Sequence, residues 1–296
     1  LDSESHRSAP DYNVIADWLT GMNDEIYFEE KGNRLLQNHF LKIDTEHWTK
    51  LAETYPAKYL EKLFRQIAVD GGVRTTTHLL AILNALSAQT ACREIVASLL
   101  KTLPEYLDTL NKKGKPVVTA KSLRDILALE SNMPQDESWV NTMASLLTLH
   151  KERNYVNTIL ATEIISLKKC TPLANKILAA CRDELQYRVH NKPQPPADWS
   201  RPVPDNPGHA RQWKLLASFL QSPDIQIFDY RKNQNEREEL QHAINNVEVD
   251  LKTETIKKGS PYTLRIIKTQ DAYNKQMKHW NEDVALLEKV KQKLQF

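Results

Sequence analysis

Through the first two thirds of the chain, apolar residues recur at spacings of three and four, the mark of helices that bury one face. Trp48, Leu51 and Tyr55 follow Asp44 and Thr45, either of which can cap a helix. Pro56 suits the first turn of the next helix, whose stripe is Tyr59, Leu60, Leu63, Phe64 and Ile67 before Gly71-Gly72 stops it. Leu79, Leu80, Ile82, Leu83 and Leu86 predict another. Thr90 is placed to cap a helix carrying Ile95, Val96, Leu99, Leu100 and Leu103, and Pro104 to open a short one with Tyr106 and Leu107. Lys112 to Pro116 reads as a solvated loop. Further helices are predicted behind Thr119 or Ser122, behind Asp136, behind Asn154 and from Thr171-Pro172.

Several of these helices carry apolar residues on more than one face, as helices held between neighbours do. Residues 44–190 are therefore expected to form an irregular HEAT-like helical array or an irregular bundle, without a fixed repeat period. Residues 1–43 form a separate N-terminal segment in this reading. Its first twelve residues are polar and expected to be disordered. Beyond them lie short apolar clusters (Ile15, Trp18, Leu19; Leu35, Leu36, Phe40) without sustained periodicity.

Residues 191–208, NKPQPPADWSRPVPDNPG, hold six prolines and are expected to be an extended linker with Trp199 anchored to a domain surface. The period changes after it. Residues 209–296 are expected to form a small α/β domain. A helix with Trp213, Leu216, Phe219 and Leu220 comes first, then a short strand at Ile225, Ile227 and Phe228, then a polar helix with Leu240 and Ile244 inward. Val249, Leu251, Thr253 and Thr255 alternate with charged residues. Lys257 to Ser260 turns the chain, and Tyr262, Leu264 and Ile266 alternate again, which predicts a β-hairpin with those three on its inner face. A long helix closes the chain, with Tyr273, Met277, Trp280, Val284, Leu287 and Leu294 in a seam. That seam either packs on its own sheet or forms a coiled coil, and its short length favours the sheet.

Composition agrees with a mainly α chain: Gly occurs only 7 times in 296 residues, too few for a turn-rich β fold. The three cysteines, Cys92, Cys170 and Cys181, form no secreted disulfide framework, and the N-terminus has no apolar signal core. An intracellular, cytoplasmic or nuclear protein is expected. The absence of an initiator Met suggests a piece of something longer. Net charge is +2, and residues 191–296 hold 17 Lys and Arg against 14 Asp and Glu, too mild an excess to name a partner.

No phosphate-binding glycine loop, HExxH, GxSxG or CxxC is present. His78 and Cys92 read as core or helix-surface residues rather than a catalytic pair, and Cys170, Cys181, His190 and His209 match no zinc spacing. No catalytic residue, metal or cofactor is expected. One surface is chemically suggestive. Lys252, Lys257, Lys258, Arg265 and Lys268 crowd the hairpin against Glu254 alone, with Tyr262 beside the turn. Such a surface can contact phosphates and stack on bases. Equally, lysines protect exposed strand edges from pairing.

From about Pro193 onward, PQPPADWSRP, LLASFLQSP and IKKGSPYTLRIIKT resemble the C-terminal region of large proteins described as 2-oxoglutarate/Fe(II)-dependent oxygenases. The resemblance implies an accessory region. Closely spaced cysteines would be expected just before the LLASFL helix, but Asn206 to Trp213 reads NPGHARQW, and the iron-binding HxD is absent. The expected function is a non-catalytic protein-interaction or scaffolding module that binds another protein or another domain of its parent, with no membrane partner. The alternative is a nucleic-acid-binding module using residues 252–268.

Overall fold

The computed structural model describes residues 11–112, 118–130 and 136–295; of the disorder expected over residues 1–12 and the loop expected over Lys112 to Pro116, residues 1–10 and 113–116 lie outside them, while Tyr12 is ordered and stacks on His39. The protein is mainly α, with one three-stranded antiparallel sheet and a long C-terminal helix. It divides into two compact units, Leu1–Gln186 with Leu286–Phe296, and Tyr187–Ala285.

The first unit opens with α1 (Asn13–Met22), α2 (Glu25–Tyr27), a π-helical stretch over Phe28–Gly32 and α3 (Asn33–His39), a helical run where the sequence shows no sustained period. Then follow α4 (Thr45–Thr54), α5 (Ala57–Asp70), α6 (Val73–Ser87), α7 (Arg93–Asn111), α8 (Ala120–Glu130) and α9 (Glu137–Leu147). A π-helical stretch over Tyr155–Ala161 leads into α10 (Thr162–Ile165), and α11 (Pro172–His190) follows. From α4 to α9 each helix packs chiefly on the next but one: α4, α6 and α8 make one row, joined by α1, and α5, α7 and α9 the other, joined by α3. This two-layer alternation is the HEAT-like arrangement. It explains why the middle helices are apolar on more than one face, since each meets neighbours both within its row and across the layers.

Side chains satisfy some of the helix ends that the sequence offers, although Asp44 at the start of α4 and Asn154 make no such bond. Asp136 Oδ1 accepts from the Trp139 N–H at 3.1 Å, and Thr119 Oγ1 from the Ser122 N–H at 3.1 Å. The start of α11 is held from a distance, because buried Glu130 at the end of α8 accepts from the Leu173 N–H at 2.8 Å. Pro104 corrects an expectation. It opens no new helix and lies inside the continuous α7. Proline has no N–H for the carbonyl four residues back, which here belongs to Leu100. Trp139 Nε1 donates to that carbonyl at 2.8 Å and replaces the missing bond.

In the second unit the proline-rich stretch is extended. The Trp199 N–H donates to the Pro223 carbonyl at 3.0 Å and the Arg201 N–H to that of Leu220 at 2.7 Å. Then come α12 (Ala210–Gln221), β1 (Ile227–Arg231), α13 (Gln234–Asn245), β2 (Leu251–Ile256), β3 (Thr263–Lys268) and α14 (Asp271–Leu294). The sheet order is β1-β3-β2, all antiparallel, with Phe228 opposite Ile266 and Thr253 opposite Ile266 on the other side. Trp213, Leu216, Phe219 and Leu220 of α12 and Leu240 and Ile244 of α13 close over Leu264 and Ile266.

Three expectations about this unit change. The first strand starts two residues late, so Phe228 and Tyr230 face the core while Ile225 and Ile227 are exposed. The hairpin loop runs over Lys257 to Tyr262, longer than the four-residue turn expected, because Ile256 pairs with Thr263. The seam of α14 supplies no residue to the sheet core, whose inner face α12 and α13 already fill. Trp280 Nε1 instead donates to the Val189 carbonyl at 2.9 Å, and from Leu286 onward α14 belongs to the first unit, where Leu287 and Val290 are buried.

Candidate functional site

The six residues singled out at the hairpin do not form one surface. Lys268 shares the inward parity of Leu264 and Ile266 and is only 2% exposed. Its ammonium donates to the Ser222 carbonyl at 2.7 Å and lies 4.7 Å from the centre of the Phe219 ring. Burial pushes its pKa down. Arg265 points outward but is committed elsewhere. Its Nε and Nη2 bond Asp229 at 2.8 and 2.9 Å across the β1–β3 pair, and Glu254 stands 3.9 Å from Nη1. The guanidinium accordingly holds the Asp229 carboxyl below the usual carboxylate range. Lys252 is exposed and sits opposite Ile267 on the outer face. Tyr262 lies beyond the end of β3, where strand alternation no longer governs its direction. It is 42% exposed rather than on the inner face.

What remains of the expected surface is the hairpin tip: Lys257, Lys258 and Tyr262. The fold adds cations to it from elsewhere. Arg231, at the end of β1, reaches the loop carbonyls of Pro261 at 3.2 Å and Ser260 at 3.4 Å. Gly259 makes room, because its φ of +80° disfavours a side chain and an added Cβ would stand 3.1 Å from Arg231 Nη2. Arg237, in the first turns of α13, lies 5.6 Å from the Tyr262 ring centre, and its Nε donates to the Lys232 carbonyl at 3.1 Å. None of Arg231, Lys232, Arg237, Lys257 and Lys258 forms an ion pair among the described residues. Sequence reading missed Arg231 and Arg237, with Lys232 beside them, because the first two lie some 25 to 30 positions from the loop residues they reach.

A second surface lies in the first unit. Val14, Trp18, Met22 and Ile26 are exposed by 59%, 48%, 38% and 72%, at a four-residue spacing. The opposite side of α1 is fixed to the array by buried Ala16 and Leu19, and the Tyr55 hydroxyl donates to the Leu19 carbonyl at 2.5 Å. Gly32 lets the π-helical stretch approach, since a Cβ there would come within 3.1 Å of the Leu19 side chain. Trp18 meets the Tyr27 ring edge-on at 5.3 Å, which sets the turn holding Ile26 beside α1.

The other reactive side chains are in structural roles. The Nε2 of His78 lies 3.1 Å from the Ile43 carbonyl and its ring packs on Phe40, while burial lowers its pKa. The Cys92 thiol is buried against Gln89 with its pKa raised, and Cys181 is in the core. Among the described residues no three His, Cys, Asp or Glu converge as metal ligands, and no helix is long and apolar enough to cross a membrane. An open groove of about 390 Å³ beside Arg34 and Lys62 mixes both signs of charge with amides and focuses on no single reacting point. Comparison of the chain with protein-family models, with curated proteins and with solved structures gives no match.

Proposed function

We propose that this chain is a non-catalytic interaction module, a helical scaffold that holds a protein partner against its first unit. The observation that carries the reading is the exposed Val14, Trp18 and Met22 of α1, whose other side is locked into the array, together with exposed Ile26 of α2. Contiguous apolar surface of this kind marks interaction sites on soluble domains. The resemblance of residues 193–296 to oxygenase C-terminal regions supports the same role, an accessory region of a larger protein. Site-specific photocrosslinking tests it, with a photoreactive residue at Trp18 and a control at Leu149, which is at least as exposed. A discrete adduct from Trp18 that the control lacks is expected; the same background from both positions refutes the reading.

A second reading has its own observation. Five cations without an ion pair lie on the hairpin loop or on the segment that meets it, and Arg237 stands over exposed Tyr262, which suits a phosphate backbone with a base stacked on Tyr262. Binding to single- and double-stranded DNA and RNA at two salt concentrations tests it. With five phosphate contacts the duplex affinity would fall with a log–log salt slope of about −4.5, and Lys257→Glu with Lys258→Glu would abolish binding. No affinity at low salt ends this reading.

A further inference from the structure

We propose that the Val14–Trp18–Met22–Ile26 face docks the apolar side of a basic amphipathic helix, an inference that rests on the interaction-module reading above. The first argument is the width of the apolar arc on α1. At about 100° per residue, Trp18, Met22, Ile15, Leu19 and Ala16 lie about 40°, 80°, 100°, 140° and 200° round from Val14. A helix that only covers a core needs an apolar stripe about 100° wide. Here the array buries Leu19 and Ala16, and the Val14–Trp18–Met22 part of the arc stays open. Gly21 lies on the same side, and a Cβ there would meet nothing within 4 Å. The open face thus carries projecting anchors spaced by four with open space at Gly21 along its edge, the pattern that receives one helix.

The second argument is charge. Residues 11–30 contain Asp11, Asp17, Asp24, Glu25, Glu29 and Glu30 and no Lys or Arg. Several neighbouring cations are already engaged, while Arg34 shares an open groove with Glu29 and Glu30. Lys50 and His47 face Asp17 at 3.4 and 3.5 Å, Lys62 pairs with Glu29 at 3.3 Å, and Lys31 lies over the Tyr27 ring. Asp11, Asp24, Glu25 and Glu30 keep no cationic partner among the described residues. Asp24 and Glu25 begin the turn that carries Ile26, so negative charge adjoins the open stripe. A partner with Leu-type residues on one side and Lys or Arg along its flanks complements both features, whereas an acidic helix would be repelled.

The probes are two capped 14-residue peptides with Leu at helical spacing, one filled with Lys and the other with Glu. Each is titrated into the full chain by calorimetry, with backbone amide shifts locating the site. The Lys peptide is expected to bind with shifts centred on α1 and α2, and the Glu peptide to bind at least about tenfold more weakly. Trp18→Ser with Met22→Ser should weaken the Lys peptide by about tenfold or more; both positions are exposed, and unchanged circular dichroism confirms the fold. Glu25→Gln keeps an acceptor for the Tyr59 hydroxyl, which donates to it at 3.2 Å, and should weaken binding less. Equal binding of both peptides at α1 overturns the charge inference while leaving the protein-interaction reading standing. Binding by neither peptide, or shifts away from α1 that Trp18→Ser and Met22→Ser leave unaltered, overturns the docking proposal.

Discussion

Lys268 offers a sharp test of how the second unit is built. Its four methylenes are buried and its ammonium donates to the Ser222 carbonyl. Truncation to Ala removes three buried methylenes, about 2.4 kcal/mol at about 0.8 kcal/mol each, and a charged hydrogen bond, about 1.5–3 kcal/mol. Relief from burying an ammonium offsets part of this, so a net loss of about 2–4 kcal/mol is expected. Lys268→Met keeps most of the apolar volume and removes the charge, so its cost should stay below about 1.5 kcal/mol. The two units could unfold separately, so exchange of the Leu264 and Ile266 amides is a better assay than one global transition. The pH dependence has a definite sign. Burial depresses the lysine pKa in the folded state, and the unfolded chain keeps its proton up to about 10.4. Between the two values the unfolded state binds more protons, so the wild type gains stability with rising pH and Lys268→Met does not. Equal losses for Ala and Met, or an Ala variant within about 0.5 kcal/mol of wild type, would refute the buried, stem-packed placement.

Other perturbations follow from single contacts. Glu130→Ala should destabilise the first unit by about 1–3 kcal/mol and unprotect the Leu173 amide, whereas Glu130→Gln keeps an acceptor and should lose less; urea titration with amide exchange distinguishes them. Burial lowers the His78 pKa, so the unfolded chain takes up the proton first as pH falls below about 6.5, and stability declines there. His78→Gln should flatten that part of a stability–pH curve. Arg265 holds the Asp229 pKa down, so this contribution is present above the ordinary carboxyl value and is lost as pH falls below it. Because the pair is largely solvated, Asp229→Asn should cost no more than about 1 kcal/mol at neutral pH and reduce the acid sensitivity of sheet amide exchange.

The hairpin shows how far alternation reaches. The period-2 rule puts positions 264, 266 and 268 on one face, so the burial of Lys268 was legible in the spacing even though its charge argued for the surface. The same rule misplaced Tyr262, because the strand ends one residue after it in the direction of the loop and parity stops there. The engagement of Arg265 needed the β1–β3 register, which sets Asp229 directly opposite and which no local pattern contains. Pro104 failed for a related reason: a proline ends a helix unless something else serves the freed carbonyl, and Trp139 comes from 35 positions away to do so.

By itself the sequence determined much of the local structure: the helices from α4 onward, most of the residues they turn inward and where the period changes from 3.6 to 2, though not the helical run over residues 13–39. These follow from capping, proline and the spacing of apolar residues, all interactions within a few positions. Only the tertiary structure decided which cations are free, because that depends on carboxylates and carbonyls brought from distant segments. It withdrew Arg265 and Lys268 from the basic surface, added Arg231 and Arg237, and, among the described residues, left Val14, Trp18 and Met22 of α1 exposed. Exposure and pairing are properties of the packed chain, set by contacts between residues that the sequence keeps far apart.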